Sequence, residues 1–392
     1  MRRNILRLAS FVILCVACAA VCGELRAAEV ADDIAAIQAA GPNGRGAVAA
    51  RQARDRLAKR GRAILPELLD AMDTPNVIAA NWVRTIVDDV VDAEFKKPQP
   101  NLPVSLLEKI AKDPKRAGRL RRYAVSLVER LKPGFRDQLI ETLVNDPEFR
   151  EEAITMTLAR GDAAKKKGNV EAAVVAYELA FRNARTSNQI ASAAGKLGSV
   201  GKTVSIVEQM GFVTDWYLLG PFNAPGFTGF ETSFPPEKEV NLDATYKGKS
   251  GGTIRWTRHQ SSDRFGQLNL IRSIASVKEA VGYAYTELDS ETDQQVDLRC
   301  GADDNLTVWI NGKIAFRRLQ WLNGTRLDRF TARATLKKGR NRVLVKVCQG
   351  PQHKNPAVPN NWSLQVRFCD ADGLGIRLRS GLPKVKEAAE TK

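Results

Sequence analysis

The sequence predicts a multidomain protein with an α-helical first half and a β-sheet second half, on the evidence of two periodicities. From Glu29 to about Met210, apolar residues recur at helical spacing and the breaks fall at turn residues. From Phe212 onward the period of the apolar residues becomes two, which is typical of strands. Turn residues divide this half into about eight or nine strands over about 160 residues, a density that predicts an antiparallel β-sandwich such as a jelly roll.

The chain is predicted to divide into five segments. They are a signal peptide (1–28), a helical repeat-like array (29–160), a helix pair (161–205), the β-sandwich (206–378) and a charged disordered tail (379–392). Basic Arg2 and Arg3 before the apolar run 9–21, with a cleavage site at 25–27, indicate secretion. We therefore expect an exported protein, periplasmic or extracellular, with no membrane span after cleavage. A lipid anchor at Cys18 and an uncleaved anchor are the alternatives.

Composition argues against several functional classes. The chain has 60 Lys and Arg against 44 Asp and Glu, a net charge of +16. This charge is spread over both halves, so no nucleic-acid partner is expected. The chain has only two histidines, which excludes most His-rich metal sites and argues against Ser-His-Asp catalysis. Only three cysteines follow the predicted signal peptide, an odd number that excludes complete internal pairing: Cys300, Cys348 and Cys369.

The first helical segment contains a helix–turn–helix unit. Apolar residues mark one helix face over 64–72 and a partner face over 77–90, and the turn 73–76 contains Asp and Pro. This arrangement resembles a HEAT-type repeat, and the later stretch 159–198 resembles a tetratricopeptide-like helix pair. Such arrays imply a long surface for a protein partner, or a spacer that carries the second half. The basic run 112–122 is either a solvated helix face or a docking site for anions.

Strand–turn motifs in the second half carry a more specific resemblance. Gly301–Lys313 contains an Asn-Gly hairpin turn, Leu336–Val347 forms a second such unit, and Trp216–Phe222 precedes Phe234–Glu237. Together they resemble the galactose-binding-like jelly roll that accompanies bacterial glycoside hydrolases and occurs in large exported proteins of planctomycete-type bacteria. The resemblance implies carbohydrate binding. In related protective-antigen-like modules a paired aspartate holds calcium, which in turn holds a sugar, and Asp303-Asp304 matches that pair.

The candidate ligand residues are two carboxylates and three aromatics. An aspartate pair before a strand either caps a turn by accepting backbone N–H bonds or supplies hard oxygen ligands to calcium. Both alternatives stay open for Asp303 and Asp304, and no other cofactor is expected. Sugar C–H faces pack on exposed aromatic rings, and aromatics in loops are well placed for this role. The candidates of this kind are Trp321, Trp362 and Trp256.

No catalytic constellation is visible in the sequence, so we expect a non-catalytic protein. Glycoside chemistry needs two carboxylates about 5–9.5 Å apart, and no spacing among the available carboxylates selects a pair: Glu231, Glu237, Asp297, Asp303 and Asp304. His259 and His353 are isolated. The resulting hypothesis is an exported binding protein whose jelly roll binds carbohydrate or a cell-envelope polymer and is carried on a helical scaffold. The alternatives are a structural or protein-interaction scaffold without a sugar site, and a glycoside-active enzyme.

Overall fold

The computed structural model describes residues 27–321, 324–355, 357–358 and 360–382. Helices dominate the described chain up to residue 210 and antiparallel strands follow from residue 215, so the predicted order of an α-helical half and a β-sandwich half is confirmed. Most of the predicted signal peptide and of the predicted tail lies outside the described residues. None of the described helices is long and apolar enough to cross a membrane.

The chain divides into two compact units, 1–148 and 149–392. The described α-helices of the first unit are α1 (27–38), α2 (Ala47–Ala58), α3 (Leu65–Ala71), α4 (Val77–Phe95), α5 (Val104–Lys112), α6 (Gly118–Leu131) and α7 (Phe135–Ile140). Asn76 begins α4 as its N-cap, because its side chain accepts hydrogen bonds from the backbone N–H groups of Ile78 and Ala79. The helix pair predicted on either side of this turn is confirmed, and α3 packs on α4.

The basic run 112–122 begins at the end of α5 and continues into α6. Arg121 is buried and binds the Asp146 carboxylate through both Nη atoms, at 3.0 and 2.7 Å. Arg116 pairs with Asp70 at 2.8 Å. These charge-assisted contacts tie α6 to the turn that follows α7, and the α5–α6 turn to α3. Buried Arg121 is thus an internal tie, which excludes the anion-docking alternative for this residue.

The second unit also contains helices. Its described α-helices are α8 (Arg150–Lys166), α9 (Val170–Asn183), α10 (Ser187–Gly198), α11 (Ile206–Met210), α12 (Pro235–Lys238) and α13 (Leu270–Ser273). Gly161 lets α8 approach α9 closely, since a Cβ at this position would lie 2.4 Å from the ring of Tyr177. The apolar cluster around Tyr177 extends to Phe212, with Phe265 and Leu327 packed against it. Helices α8–α11 therefore share a core with residues of the strand region.

The strands form two larger sheets and one hairpin. They are β1 (Asp215–Asn223), β2 (Thr245–Lys247), β3 (Thr253–Arg255), β4 (Thr257–Gln260), β5 (Leu268–Asn269), β6 (Ala280–Ser290), β7 (Gln294–Asp303), β8 (Leu306–Ile310), β9 (Lys313–Arg318), β10 (Phe330–Leu336), β11 (Gly339–Gln349), β12 (Ser363–Cys369) and β13 (Arg379–Ser380). A seven-stranded sheet has the order β4-β1-β6-β11-β8-β9, and β13 also pairs with β6. A four-stranded sheet has the order β10-β7-β12-β5, and β2 pairs with β3.

The main core lies between the two larger sheets. Alternate residues of β11 and β12 face it: Val343, Val345, Val347, Leu364, Val366 and Phe368. Cys300 of β7 is buried in the same core, and burial raises the pKa of its thiol to about 12. It is a core side chain. Cys348 and Cys369 lie in different sheets, and both are free, buried thiols.

The opposite face of the seven-stranded sheet is also covered. Side chains of the segment 224–256 pack on it, including Phe230 and Trp256. Beneath them Lys346 Nζ binds Glu237 Oε1 at 2.7 Å, and the Tyr283 hydroxyl donates to the same oxygen at 2.5 Å. Burial and the neighbouring carboxylate raise the pKa of Tyr283. This sheet is therefore buried on both faces over much of its area.

The outer face of the four-stranded sheet carries a buried arginine. Arg367 of β12 donates Nε to Asp328 Oδ1 at 2.6 Å. Its Nη1 donates to the carbonyls of Met210 and Gly373, at 3.0 and 3.2 Å. Because the guanidinium is buried, these partners offset its desolvation. One side chain thereby fixes the end of α11 and the β9–β10 loop to the sheet.

Candidate functional site

The candidate site lies at one end of the sandwich, where four loops meet. These loops follow β1, β7, β9 and β11, and Asp303-Asp304-Asn305 stands at the β7–β8 corner. Glu279, just before β6, joins two of them, since its Oε1 accepts from Gly226 N at 2.7 Å and its own N–H donates to Gly350 O at 3.0 Å. Loop clusters held on a rigid scaffold are a common location for binding sites.

The aspartate pair holds two of these loops by their backbones. Asp303 Oδ2 accepts from Gly324 N at 3.0 Å, in the β9–β10 loop. Asp304 Oδ2 accepts from Gly350 N at 2.9 Å, where β11 ends. Both carboxylates therefore accept backbone N–H bonds, the first of the two alternatives that the sequence left open.

Asn305, the next residue, also holds a loop by its backbone. Asn305 is fully buried, and its Oδ1 accepts from Gln320 N at 2.5 Å. Gln320 returns a hydrogen bond from Nε2 to Asp304 O at 3.1 Å. Three consecutive side chains, 303–305, thus fix the backbone on both sides of Trp321. The position of the Trp321 indole is consequently set by the β7–β8 corner.

Trp321 is half-buried and packs over a glycine. A Cβ added at Gly350 would lie 2.8 Å from Cζ3 of the indole, which is closer than real Cβ contacts, so this approach requires glycine. The edge of the indole meets Phe227, with ring centroids 4.4 Å apart and ring planes at 68°. Phe227 is 59% exposed and Leu319, at the end of β9, is 58% exposed. We call the pair Phe227 and Trp321 the aromatic platform.

The electrostatics of the corner are dominated by burial. Asp303 is 3% exposed, and burial, reinforced by the neighbouring Asp304, raises its pKa to about 6. Lys278 and the N–H of Gly324 oppose this rise. An apolar surrounding disfavours the charged form of a carboxyl group, so the site holds an acid whose charge changes within about two pH units of neutrality.

The corner does not supply a calcium site from its own residues. Calcium takes about six to eight oxygen ligands. One oxygen of each aspartate is engaged by a backbone N–H, as is the amide oxygen of Asn305. Within the described residues, no group of three or more His, Cys, Asp or Glu side chains is placed to hold a metal ion. The donor set therefore fits loop-holding better than metal binding.

Two of the three predicted tryptophans do not line this site. Trp362 is 1% exposed and lies in the core between the sheets, against Gly282 of β6. Trp256 is 4% exposed and packs edge-on against Tyr285, as part of the layer that covers the seven-stranded sheet. The expectation that these two rings offer a face to a ligand is wrong, because each directly adjoins a strand and turns toward an apolar layer. Sequence reasoning did not select Phe227. The one feature that could have indicated it is that an aromatic residue stands in a loop containing Gly and Pro.

Each carboxylate considered for catalysis is engaged, the Asp303-Asp304 pair by backbone N–H groups. Glu231 pairs with Arg317 at 2.6 Å, and Glu237 is bound by Lys346. Asp297 pairs with Arg333 at 3.0 Å. A separate cleft of about 790 Å³ lies at the opposite end of β6. It is lined by the end of that strand, the start of β1 and residues 376–380. It contains none of the residues that the sequence singled out.

Comparisons with known proteins identify no family. The sequence matches no protein-family model and no curated protein. Among solved structures, an anti-sigma factor domain-containing protein from Clostridium clariflavum is 11% identical with a TM-score of 0.25, over 45% of this chain and 50% of that one. A β-glucosidase from Kluyveromyces marxianus in complex with glucose is 12% identical with a TM-score of 0.23, over 40% of this chain and 16% of the enzyme.

A domain-level similarity is equally weak. The PA14 domain of the MpAFP antifreeze protein is 12% identical with a TM-score of 0.19, over 41% of this chain and 65% of that domain. The chain spans half or less of the length of the first two structures. At these TM-scores the similarities carry no argument about what this protein does. The functional inference therefore depends on the site itself.

Proposed function

We propose that the β-sandwich is a carbohydrate-binding module whose ligand packs on the aromatic platform. The observation that carries the proposal is the exposed Phe227 ring in edge contact with Trp321 at a loop cluster. An exposed aromatic face gains free energy when an apolar surface covers it, at roughly 25 cal/mol per Å². The C–H face of a sugar ring offers such a surface, and its hydroxyls can bond the loop backbone.

Preorganisation supports this proposal. Side chains 303–305 accept hydrogen bonds from the backbone N–H groups of residues 320, 324 and 350, which flank Trp321 or lie beneath it. A site whose loops are already fixed loses little conformational entropy when it binds a ligand. The platform therefore has the two properties that a binding site needs: an uncovered apolar surface and a rigid support.

The wider proposal is a non-catalytic, exported binding protein, periplasmic or extracellular. In it the helical first unit carries the module or binds a protein partner. Support for a non-catalytic role is that each carboxylate considered for catalysis is already engaged: three pair with a cation, and the aspartate pair at the corner accepts backbone N–H groups. Support for export is the basic and apolar amino-terminal sequence.

The test is a screen of the full chain against neutral and charged glycans and cell-envelope polymers, with Kd measured for each hit by isothermal titration calorimetry. Trp321→Ala and Phe227→Ala should each weaken binding about tenfold or more, equivalent to about 1.4 kcal/mol. Leu374→Ala, which truncates an exposed apolar side chain in the 370–376 turn, is the matched control and should leave Kd unchanged. Chelation of divalent cations should also leave Kd unchanged.

Two results would overturn the proposal. If the folded chain binds no glycan or envelope polymer, the scaffold alternative takes its place. If a glycan binds but Trp321→Ala and Phe227→Ala bind it as tightly as the wild type, the ligand site lies elsewhere on the chain.

A further inference from the structure

Strand β9 leads directly into the platform and carries exposed cations. It is an edge strand of the seven-stranded sheet and pairs with β8 alone among the described strands. Lys313, Arg317 and Arg318 are all exposed, and Arg318 lies three residues before Trp321. Ile314 and Leu319 are also exposed and add apolar area to the same surface. A basic strip therefore runs along this edge and ends at the aromatic platform.

The positive charge of this strip is only partly paired with acidic side chains of the described residues. Residues 313–329 contain five basic residues and one acidic residue, Asp328. Asp328 is engaged by the buried Arg367 and by Arg299. In the described part of the chain, neither Lys313 nor Arg318 forms an ion pair.

Arg317 differs from these two side chains. It pairs with Glu231, whose side chain is itself 71% exposed, so the contact is open to solvent. Such exposed pairs contribute only about 0–1 kcal/mol, and an incoming anion can replace the carboxylate at small cost. The contrast with Arg121 of the first unit is informative, because that arginine is buried on its carboxylate partner and has no capacity for a ligand.

The dimensions of the strip favour a polymer over a single sugar. Strands rise about 3.3 Å per residue, so Lys313 and Arg318 lie about 17 Å apart along β9. Trp321 of the platform follows three residues after the end of β9. One monosaccharide cannot reach both ends of this surface, whereas a chain of several sugars can.

Self-pairing of this edge is disfavoured. Two β9 strands aligned antiparallel would bring Lys313 of one copy opposite Arg318 of the other, and like charges placed opposite one another are destabilising. The carboxylates behind the platform do not reverse the field of the strip, because Asp303 is buried and both aspartates bond backbone N–H groups.

We infer that the ligand of the platform is an anionic polysaccharide, whose carboxylate or sulfate groups bind the cations of β9 while a sugar ring packs on Phe227 and Trp321. This inference rests on the proposed carbohydrate-binding function and names its ligand class. Electrostatic complementarity of this kind adds specificity and a strong dependence on salt.

The test compares polymers that differ in charge alone. Full-length protein is titrated with polygalacturonate and with its methyl-esterified form, and with dextran sulfate and dextran, at about 50 to 500 mM NaCl. We expect one acidic member to bind at least about tenfold tighter than its neutral counterpart, with affinity falling as salt rises. Lys313→Gln/Arg318→Gln should weaken that binding about fivefold or more. Trp321→Ala should also weaken it.

The control variant is Lys337→Gln/Lys338→Gln. It removes the same charge from two exposed lysines at the β10–β11 turn, and it should bind as the wild type does. Equal binding of acidic and neutral forms, lost in Trp321→Ala, would overturn the inference while the carbohydrate-binding function stands. An equal loss in both double variants, with no effect of Trp321→Ala, would show nonspecific attraction and overturn both. Binding of anionic lipid vesicles or DNA as tight as that of the acidic glycan would also overturn the inference, and failure of all four polymers to bind would do the same.

Discussion

Substitution of Asp303 by Asn gives a quantitative test of the corner that supports the platform. Burial raises the pKa of Asp303 from 3.8 to about 6. Asn keeps the size of the side chain and an oxygen that accepts from Gly324 N, but it carries no charge at any pH. The variant therefore separates the charge of Asp303 from its role in holding the loop.

The sign and size of the effect follow from linkage. A carboxyl whose pKa is raised on folding favours the folded state when protonated, and it costs folding free energy once it ionises. The cost is absent below about pH 4, grows as the pH passes from about 4 to 6, and is complete above about pH 6. A pKa difference of about two corresponds to roughly 3 kcal/mol at 1.36 kcal/mol for each unit. The free energy of unfolding of Asp303→Asn, minus that of the wild type, should rise by about this amount across the window.

The assay is urea unfolding of the full chain between about pH 4 and pH 8, followed by tryptophan fluorescence. Five of the six tryptophans lie in the second unit, so the signal reports mainly on the β-sandwich. Asp243→Asn, at an exposed carboxylate before β2, is the matched control and should show no such pH-dependent difference from the wild type. A stability difference for Asp303→Asn that is flat with pH would refute the argument that burial controls this group.

Three further predictions concern the interior. Arg367→Met should lower the free energy of unfolding of the second unit by roughly 3–5 kcal/mol, because Asp328 loses one of its two arginine partners. A midpoint of urea unfolding, followed by fluorescence, that equals that of the wild type would contradict this. Arg121→Ala should destabilise the first unit by a similar amount, seen as earlier loss of helical circular dichroism on heating, and an unaltered melt would show that the buried pair is dispensable. Cys300 and Cys348, whose burial raises their pKa to about 12, should resist iodoacetamide in the folded chain and react in urea. Mass spectrometry decides the last point, and rapid labelling of the folded protein would count against it.

Sequence reasoning located the site better than it chose the residues that form it. The strand pattern and the Asp303-Asp304 pair placed attention on the β7–β8 corner, where the structure brings together both aspartates and Trp321. The sequence offered all three tryptophans as candidates and did not show that Trp362 and Trp256 are buried. Their burial follows from the layers that cover each face of the seven-stranded sheet. Phe227 carried no pattern, because its partner is 94 residues away along the chain.

The two basic runs show that charge pairing, too, could not be predicted from the sequence. Run 112–122 and strip 313–318 are both arginine- and lysine-rich. In the first, Arg121 is buried on an aspartate that follows 25 residues later, whereas Lys313 and Arg318 are left facing solvent. Local composition sets the number of charges, but only the folded arrangement decides which ones meet a partner.

The sequence by itself determined the helical half, the β-sandwich half and the faces of the strands, because apolar periodicity is a local property that burial of one side of each element imposes. The tertiary structure alone decided which tryptophan is exposed, which loops the aspartates hold and which cations remain unpaired. These properties depend on contacts between residues far apart in the chain, and the packing of two sheets and their covering segments selects those contacts.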